Sequence, residues 1–187
     1  LAPFKFYRDE PRTIRVVARH RADADGVRVE CALEGERLLA GRTGPQQTTH
    51  FTATVRLGRA QPAQARVPLP KLAKDATVGR EEVYRHFFHG PAYQVLSRAW
   101  QDGATVVGEM TRDLPAQLSA GRAELVARPR LVELCFQVAA IADMRAGRGM
   151  ALPSAVGALT FTPGAESAKG PLLAIVTPAA VGDAVDA

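Results

Sequence analysis

The sequence predicts an α+β protein in which antiparallel strands precede and follow one long buried helix. Residues 27–33 and 51–57 alternate between apolar and polar side chains, which is the period of half-buried strands. Residues 129–144 are instead apolar nearly all round, which is typical of a helix inside a core. This order along the chain favours an antiparallel sheet wrapped around a long central helix.

The first 57 residues predict strands only. The alternating apolar positions of the two clearest strands are Val27, Val29, Cys31, Leu33, Phe51, Ala53, Val55 and Leu57. Thr13 to His20 is a third candidate strand, and Asp25-Gly26 after it is typical of a hairpin turn. Phe4 to Tyr7 also has the composition of a strand.

A linker is predicted at residues 58–79. It carries Pro62, Pro68 and Pro70 among Ala, Gln and Lys, with little periodicity. Prolines so closely spaced exclude a regular central strand. We therefore expect a mostly irregular segment that crosses from one set of strands to the other.

Residues 80–187 predict a second set of elements around the long helix. In chain order these are a short helix at Glu81–Phe88, strands near Tyr93–Trp100 and Thr105–Met110, the long helix from Pro129 to about Met144, and strands near Ala155–Phe161 and Leu172–Thr177.

The long helix carries a polar pair. Its apolar stripe is formed by Leu131, Leu134, Cys135, Val138 and Ala142. Glu133 and Gln137 lie four residues apart, so one stands a turn above the other on a single face. Burying a carboxylate costs free energy unless the carboxylate is paired. Glu133 and Gln137 together therefore predict a polar cavity inside the fold. The residues alone favour a plainer interpretation, a satisfied polar pair on a partly exposed helix.

One motif resembles the start of the second hotdog in polyketide synthase dehydratase domains, of the type found in synthases similar to polyunsaturated fatty acid synthases. In that family an aromatic-rich segment leads into Gly-Pro, one residue, an aromatic and usually Gln. The matching residues here are Gly90, Pro91, Ala92, Tyr93 and Gln94.

A second motif resembles the long helix of the same family. There, Pro and Leu precede an Asp that is followed four residues later by Gln, and the matching residues are Pro129, Leu131, Glu133 and Gln137. The departure is the acid, which is Glu here. Its extra methylene moves the carboxyl group by roughly an ångström, which changes catalytic geometry but not acid chemistry.

The resemblance implies a double hotdog fold. Residues 1–57 would be the last strands of a first hotdog, 58–79 the linker and 80–187 most of a second hotdog. Because the chain begins at Leu1 directly in strand-like sequence, we expect the missing strands and helix of the first hotdog upstream and a closing strand downstream.

The resemblance also implies the dehydration of a β-hydroxyacyl thioester carried on the phosphopantetheine of an acyl carrier protein. A His takes the α-proton, an acid protonates the departing β-hydroxyl, and a helix N-terminus polarises the thioester carbonyl. Glu133 would be the acid and Gln137 would orient it or its water. The residues expected to bind substrate are His89, Gly90, Pro91 and Tyr93. No metal or other cofactor is expected.

The base is expected from outside this sequence. In the family it is a His in the first hotdog, within His-x-x-x-Gly-x-x-x-x-Pro, and none of the four histidines fits. His86 comes nearest, because Gly90 follows at the right distance, but Val95 stands where the motif has Pro.

Several of these residues have structural interpretations that stay open. His89 can stack against Phe87 or Phe88 rather than line a pocket. Tyr93 is more often a core residue than a donor, although a strand tyrosine can bury its ring and still point its hydroxyl into a cavity. Gly90-Pro91 can serve the backbone alone, with Gly permitting an unusual turn and Pro fixing the strand entry.

The composition argues against other classes of function. Arg supplies 20 of the 24 basic residues and is scattered among acids, so the net charge of +5 indicates a solvated surface rather than a nucleic-acid site. The same charge suits an acidic acyl carrier protein. No apolar run reaches the length of a membrane span, and the isolated Cys31 and Cys135 favour reduced thiols in a cytoplasmic protein. Metal-ligand spacing, a nucleophile elbow and a phosphate loop are all absent from the sequence.

Two alternatives to catalysis remain. The first is a dehydratase-like module that keeps the fold for contacts with other synthase domains without turnover. The second is a product-template or thioester-binding hotdog that shapes an acyl chain without dehydrating it. Other synthase domains are the implied partners in either case, and a homodimer is the usual setting of such synthases.

Overall fold

The computed structural model describes residue 4 and residues 11–38, 41, 43–58, 67–71, 78–116, 129–150, 152–161 and 170–179. The chain divides into two compact units, Leu1–Ala63 and Gln64–Ala187. Each unit has its own antiparallel sheet, and the long helix belongs to the second unit.

The first unit contains a three-stranded antiparallel sheet in the order β1-β2-β3. Its strands are β1 (Ile14–Asp23), β2 (Gly26–Leu38) and β3 (Pro45–Gly58). The predicted hairpin turn is confirmed between β1 and β2, at Ala24 and Asp25. Gly26 is required there, because a Cβ on it would lie 2.1 Å from the Leu57 carbonyl oxygen.

The predicted alternation is confirmed in the register of this sheet, but the predicted half-burial of the apolar positions holds for Val29, Cys31 and Leu33 of β2 and is wrong for β3. Val29 pairs with Val55 and Leu33 with Phe51, which places the apolar positions on one face. Phe51 is nevertheless 56% exposed and Leu57 59% exposed. Among the described residues no layer covers this face, so alternation alone did not ensure burial.

The second unit contains a four-stranded antiparallel sheet in the order β4-β5-β6-β7. The strands are β4 (Val78–Gly79), β5 (Leu96–Asp102), β6 (Thr105–Met110) and β7 (Leu173–Val176), and the helices are α1 (Arg80–His86) and α2 (Pro129–Arg145). Helix α2 packs across β5, β6 and β7. An antiparallel sheet against one long helix confirms the predicted α+β class.

The core of the second unit lies between α2 and the sheet. The largest fully buried side chains of this core are Leu96, Leu134, Val95 and Val138, and Gln137 is buried beside Val138 on the helix. Trp100 and Val107 are also fully buried but lie outside this core. The Trp100 indole donates to the Lys71 carbonyl (3.1 Å) and the Lys71 N–H donates to Asp102 Oδ2 (2.9 Å), so Lys71 lies against β5. Removing such large apolar side chains from water is the main stabilising term for a unit of this size.

The burial of α2 differs from the prediction. The buried stripe contains Leu134, Val138, Ile141 and Ala142, whereas Cys135 is exposed. The described residues cover α2 mainly on the side that faces the sheet, so the stripe is rotated toward Gln137 and away from Cys135. A helix apolar nearly all round is therefore only partly enclosed here.

Two predicted strands also require correction. Residues 155–161 are irregular and exposed. Ala155, Gly157 and Ala158 offer little apolar area to bury, and the edge of β6 away from β5 is already paired with β7. The strand expected from Tyr93 begins only at Leu96. Tyr93 itself ends a single 3₁₀ turn, Pro91–Tyr93, because Pro at its first position favours a turn over a ladder.

Little of the predicted linker is described. Residues 67–71 have no regular secondary structure, Val78–Gly79 form β4, and the other residues between 58 and 79 lie outside the described ranges. The same holds for the strand-like segment at the start of the chain, of which only Phe4 is described. The division into a partial first hotdog, a linker and a second hotdog stays a prediction.

Candidate active site

The predicted polar pair lies on the part-buried side of α2. Gln137 Nε2 donates to Glu133 Oε1 at 3.0 Å, which confirms that the two side chains stand one turn apart on one face. Gln137 is only 1% exposed, whereas the Glu133 side chain is 22% exposed. The carboxyl group is therefore shielded but reachable. The enclosed cavity expected beside it stays a prediction.

His89 contacts the acid directly. Its Nε2 lies 2.8 Å from Glu133 Oε1. The His89 ring also stacks on Phe88, with centroids 4.8 Å apart and planes 14° apart. The stacking interpretation is therefore confirmed, and the stacked ring also reaches the carboxylate, whereas a role for His89 in lining a pocket stays a prediction. Within the described residues, His89 Nδ1 is buried without a hydrogen-bond partner.

Gln137 connects three elements through its amide. Its Nε2 donates to the Tyr93 carbonyl at 2.8 Å as well as to Glu133, and its Oε1 accepts from the Tyr84 hydroxyl at 2.8 Å. A buried amide is costly unless its donors and acceptor are used, and here both hydrogens and the oxygen have partners. The amide is therefore held in a single orientation.

Tyr84 is a site residue that the sequence analysis missed. It lies on α1, and its hydroxyl oxygen accepts a hydrogen bond from the Leu96 backbone N–H at 2.7 Å. The available signal was its position between Val83 of α1 and Phe87 just after the helix, both buried, which turns it toward the core. Burial raises the pKa of the Tyr84 hydroxyl to about 12, and the hydrogen bond from Leu96 and the charge of Arg80 only partly oppose that rise.

Arg80 and Gln94 fix the segment that carries His89. The Arg80 guanidinium donates to the carbonyls of Gln94 (2.8 Å) and Leu96 (3.3 Å). Gln94 Nε2 in turn donates to the His89 carbonyl at 3.0 Å. The Gln that closes the first motif therefore ties the backbone of His89 to the beginning of β5.

The remaining residues of the first motif do not act as expected from the sequence. Gly90 has φ −71° and ψ 168°, a conformation open to any residue, so no unusual turn requires glycine there. Pro91 begins the 3₁₀ turn, and the Tyr93 ring is 41% exposed rather than in the core. Tyr93 reaches the site through its carbonyl. A role for Gly90, Pro91 and Tyr93 in binding substrate stays a prediction.

Three further observations concern metal binding, membrane-spanning helices and cysteines. The described residues include no group of His, Cys, Asp and Glu side chains able to bind a metal ion. In the same part of the chain, no helix is long and apolar enough to cross a membrane. Both cysteines are free, with Cys31 half-buried and Cys135 exposed.

The raised pKa of Tyr84 predicts a loss of stability in strong alkali. Folding disfavours the ionised phenol, so this contribution to stability is complete below pH 10 and is lost as the pH rises toward 12. We expect the urea midpoint of the wild type to fall over that interval more steeply than the midpoint of Tyr84→Phe, which has no phenol to ionise. Parallel curves for the two proteins would contradict the assignment.

The comparisons with known proteins agree with the motifs. The family model of the polyketide synthase dehydratase N-terminal domain matches residues 54–184. No curated protein and no solved structure matches the chain.

The matched range contains α1, the segment with His89, and α2, so every residue of the site lies within it. The matching family model is that of an N-terminal domain. It does not test the assignment of residues 80–187 to a second hotdog, which stays a prediction. Because the match covers well over half of the chain, the chain belongs to the polyketide synthase dehydratase family, whose hotdog domains have a dehydratase role in multidomain synthases.

Proposed function

We propose that this chain supplies the catalytic acid for the loss of water from a β-hydroxyacyl thioester on an acyl carrier protein. One observation carries the proposal: in a domain of the dehydratase family, the Glu133 carboxyl is held between His89 and Gln137 at hydrogen-bond distance. A general acid needs a fixed position and partial shielding from water, and Glu133 has both.

The reaction balances without a redox cofactor. A base removes the α-proton, and the electron pair of that C–H bond forms the new double bond. The β-carbon to oxygen bond breaks, and the departing oxygen takes a proton from Glu133 and leaves as water. The phosphopantetheine arm of the carrier protein holds the substrate through its thioester and is not changed.

The hydrogen bonds around Glu133 suggest how it would act. His89 and Gln137 both contact Oε1, so Oε2 is the oxygen available for the proton that the substrate takes. Gln137 orients the carboxyl group. His89 Nε2 holds Oε1 in place, and Oε2 can regain its proton from water after each turnover, since the Glu133 side chain is 22% exposed. Because that nitrogen is engaged with the acid, we assign the α-proton to a base outside this sequence.

The substrate would approach beside the first motif. The His89 ring is only 18% exposed, but the Tyr93 ring is 41% exposed and lies after Pro91 in the same 3₁₀ turn. An exposed aromatic ring on the turn whose backbone carbonyl accepts from Gln137 offers apolar contact to an acyl chain. We assign His89, Gly90, Pro91 and Tyr93 to this surface.

The setting proposed is a cytoplasmic synthase that has other domains and an acyl carrier protein. Carrier proteins in this family are acidic, and the chain has a net charge of +5. Opposite charges on two proteins raise their association rate more than they raise the affinity of the complex. Weaker dehydration of a carrier-bound substrate at high salt, with a soluble thioester unaffected, would support this contact.

The test uses the intact synthase polypeptide that contains this chain, with a β-hydroxyacyl carrier protein as substrate. We expect formation of the enoyl thioester, detected by mass spectrometry as loss of one water. His89→Gln should lower turnover about 10 to 100-fold, because it removes the hydrogen bond that holds Glu133 Oε1 in place. The matched control is His86→Gln, since His86 is exposed on α1 three residues earlier and should leave turnover unchanged.

Other outcomes would overturn the proposal. Binding of the thioester without release of water would favour a product-template role. Neither binding nor turnover by the intact wild type would favour a non-catalytic module. Equal losses of turnover in His89→Gln and His86→Gln would show that His89 has no specific role in the reaction.

A further inference from the structure

The Tyr84 hydroxyl joins the site to the start of β5. It accepts from the Leu96 N–H at 2.7 Å and lies 2.8 Å from Gln137 Oε1. A backbone N–H can only donate and an amide oxygen can only accept. The single phenolic proton must therefore point at Gln137, and the hydrogen bonds run in one direction from Leu96 through Tyr84 to Gln137.

The orientation of the Gln137 amide follows from these partners. A flipped amide would set its oxygen against the Tyr93 carbonyl oxygen and Glu133 Oε1, two atoms that can only accept when the Glu133 proton is on Oε2. It would also leave the Tyr84 proton without an acceptor. At 1% exposure, Gln137 has almost no access to water that could repair either loss.

The Tyr84 ring is itself held in place. The Arg80 guanidinium lies 5.3 Å from the ring centroid, and the same guanidinium donates to the Gln94 and Leu96 carbonyls. Because burial raises the pKa of Tyr84 well above neutrality, the proton that Gln137 needs is present at any working pH.

We infer that Tyr84 is a positioning residue, whose hydroxyl fixes Gln137 in the orientation that donates to Glu133. The Tyr84 hydroxyl is bonded to Gln137 and to the Leu96 N–H, and its hydrogen-bonded route to Glu133 runs through Gln137. This inference goes beyond the proposed function, because it concerns how the Glu133 side chain is positioned. That positioning does not depend on which acyl chain is bound.

A double-mutant cycle on turnover tests the inference. Tyr84→Phe should lower kcat about tenfold with little change in KM, because one hydrogen bond to a buried amide is lost. Gln137→Ala should also lower kcat. If Tyr84 acts through Gln137, adding Tyr84→Phe to Gln137→Ala should change kcat by less than about twofold. Losses that multiply in the double variant would overturn the inference.

A second measurement does not depend on activity. In the 187-residue chain labelled at glutamine side chains, the Gln137 NH₂ should exchange slowly with water and give two separate NMR resonances. Tyr84→Phe should speed that exchange by roughly tenfold or more, since the amide loses the bond that restrains its rotation. Rapid exchange in the wild type, or no change in Tyr84→Phe, would overturn the inference.

The matched control for the exchange measurement is Tyr93→Phe. It removes an exposed hydroxyl while keeping the Tyr93 carbonyl that Gln137 uses. We expect its Gln137 exchange rate to equal that of the wild type. Should the intact synthase fail to dehydrate any substrate, the proposed function would fall, whereas the exchange rates would still decide the role of Tyr84.

Discussion

Glu133→Gln is expected to lower turnover of a β-hydroxyacyl carrier-protein substrate by about 10² to 10⁴-fold, the usual contribution of general acid catalysis. The amide is nearly isosteric with the carboxyl group, so the helix and its packing should be retained. What it lacks is a proton to give to the departing hydroxyl. Turnover by the intact synthase, measured as enoyl thioester formed per unit time, is the readout.

Two controls make this result specific. Gln137→Ala should cost less, since it removes an orienting group and not the proton donor. Glu82→Gln makes the same chemical change at an exposed position of α1 and should keep wild-type turnover. Circular dichroism and the urea midpoint check that each variant folds. Wild-type turnover by Glu133→Gln would reduce Glu133 to a structural residue.

The replacement of Asp by Glu at this position has a structural counterpart. Glu133 Oε1 reaches both Gln137, one turn along the same helix, and His89, on the segment that precedes β5. The longer side chain thus spans from the helix to a neighbouring segment. The Glu133 carboxyl group therefore contacts a His on that segment as well as Gln137 of its own helix.

The sequence predicted the parts of the fold that depend on local periodicity. β6 begins and ends at the predicted residues, and α2 extends only one residue beyond the predicted end. The spacing of Glu133 and Gln137 placed them on one helix face because a helix turn is close to four residues. Such features need no knowledge of what packs against the element.

Features that depend on tertiary contacts could not be predicted in this way. Tyr84 and Gln137 are 53 positions apart in the chain, and no local pattern indicates that they meet. Cys135 was placed in the core because helical spacing cannot show which sides of a helix are covered. The aromatic residues around Tyr93 favour a strand, but Pro91 favours the 3₁₀ turn that the chain adopts there.

Gly108→Ala is expected to destabilise the second unit by about 1–3 kcal/mol, the usual cost of overpacking a dense core. Gly108 lies on β6 between Ala99 of β5 and Ala174 of β7, so a row of small residues crosses the sheet. Val138 of α2, which is fully buried, sits against this row. The small residues let α2 approach the sheet and thereby bring Glu133 and Gln137 near the segment that carries His89.

The predicted clash is specific. A Cβ on Gly108 would lie 2.2 Å from Val138 Cγ2 and 2.7 Å from Leu96 Cδ2, and the β-branched Val138 has little rotamer freedom on a helix. Val138→Ala removes the nearer methyl group, so the double variant should lose less stability than the sum of the two single changes. Gly157→Ala is the matched control, because nothing lies within 4 Å of its Cβ and its urea midpoint should stay at the wild-type value. Strictly additive losses in the double variant would mean that α2 does not approach β6 this closely, and that the site is positioned by other contacts.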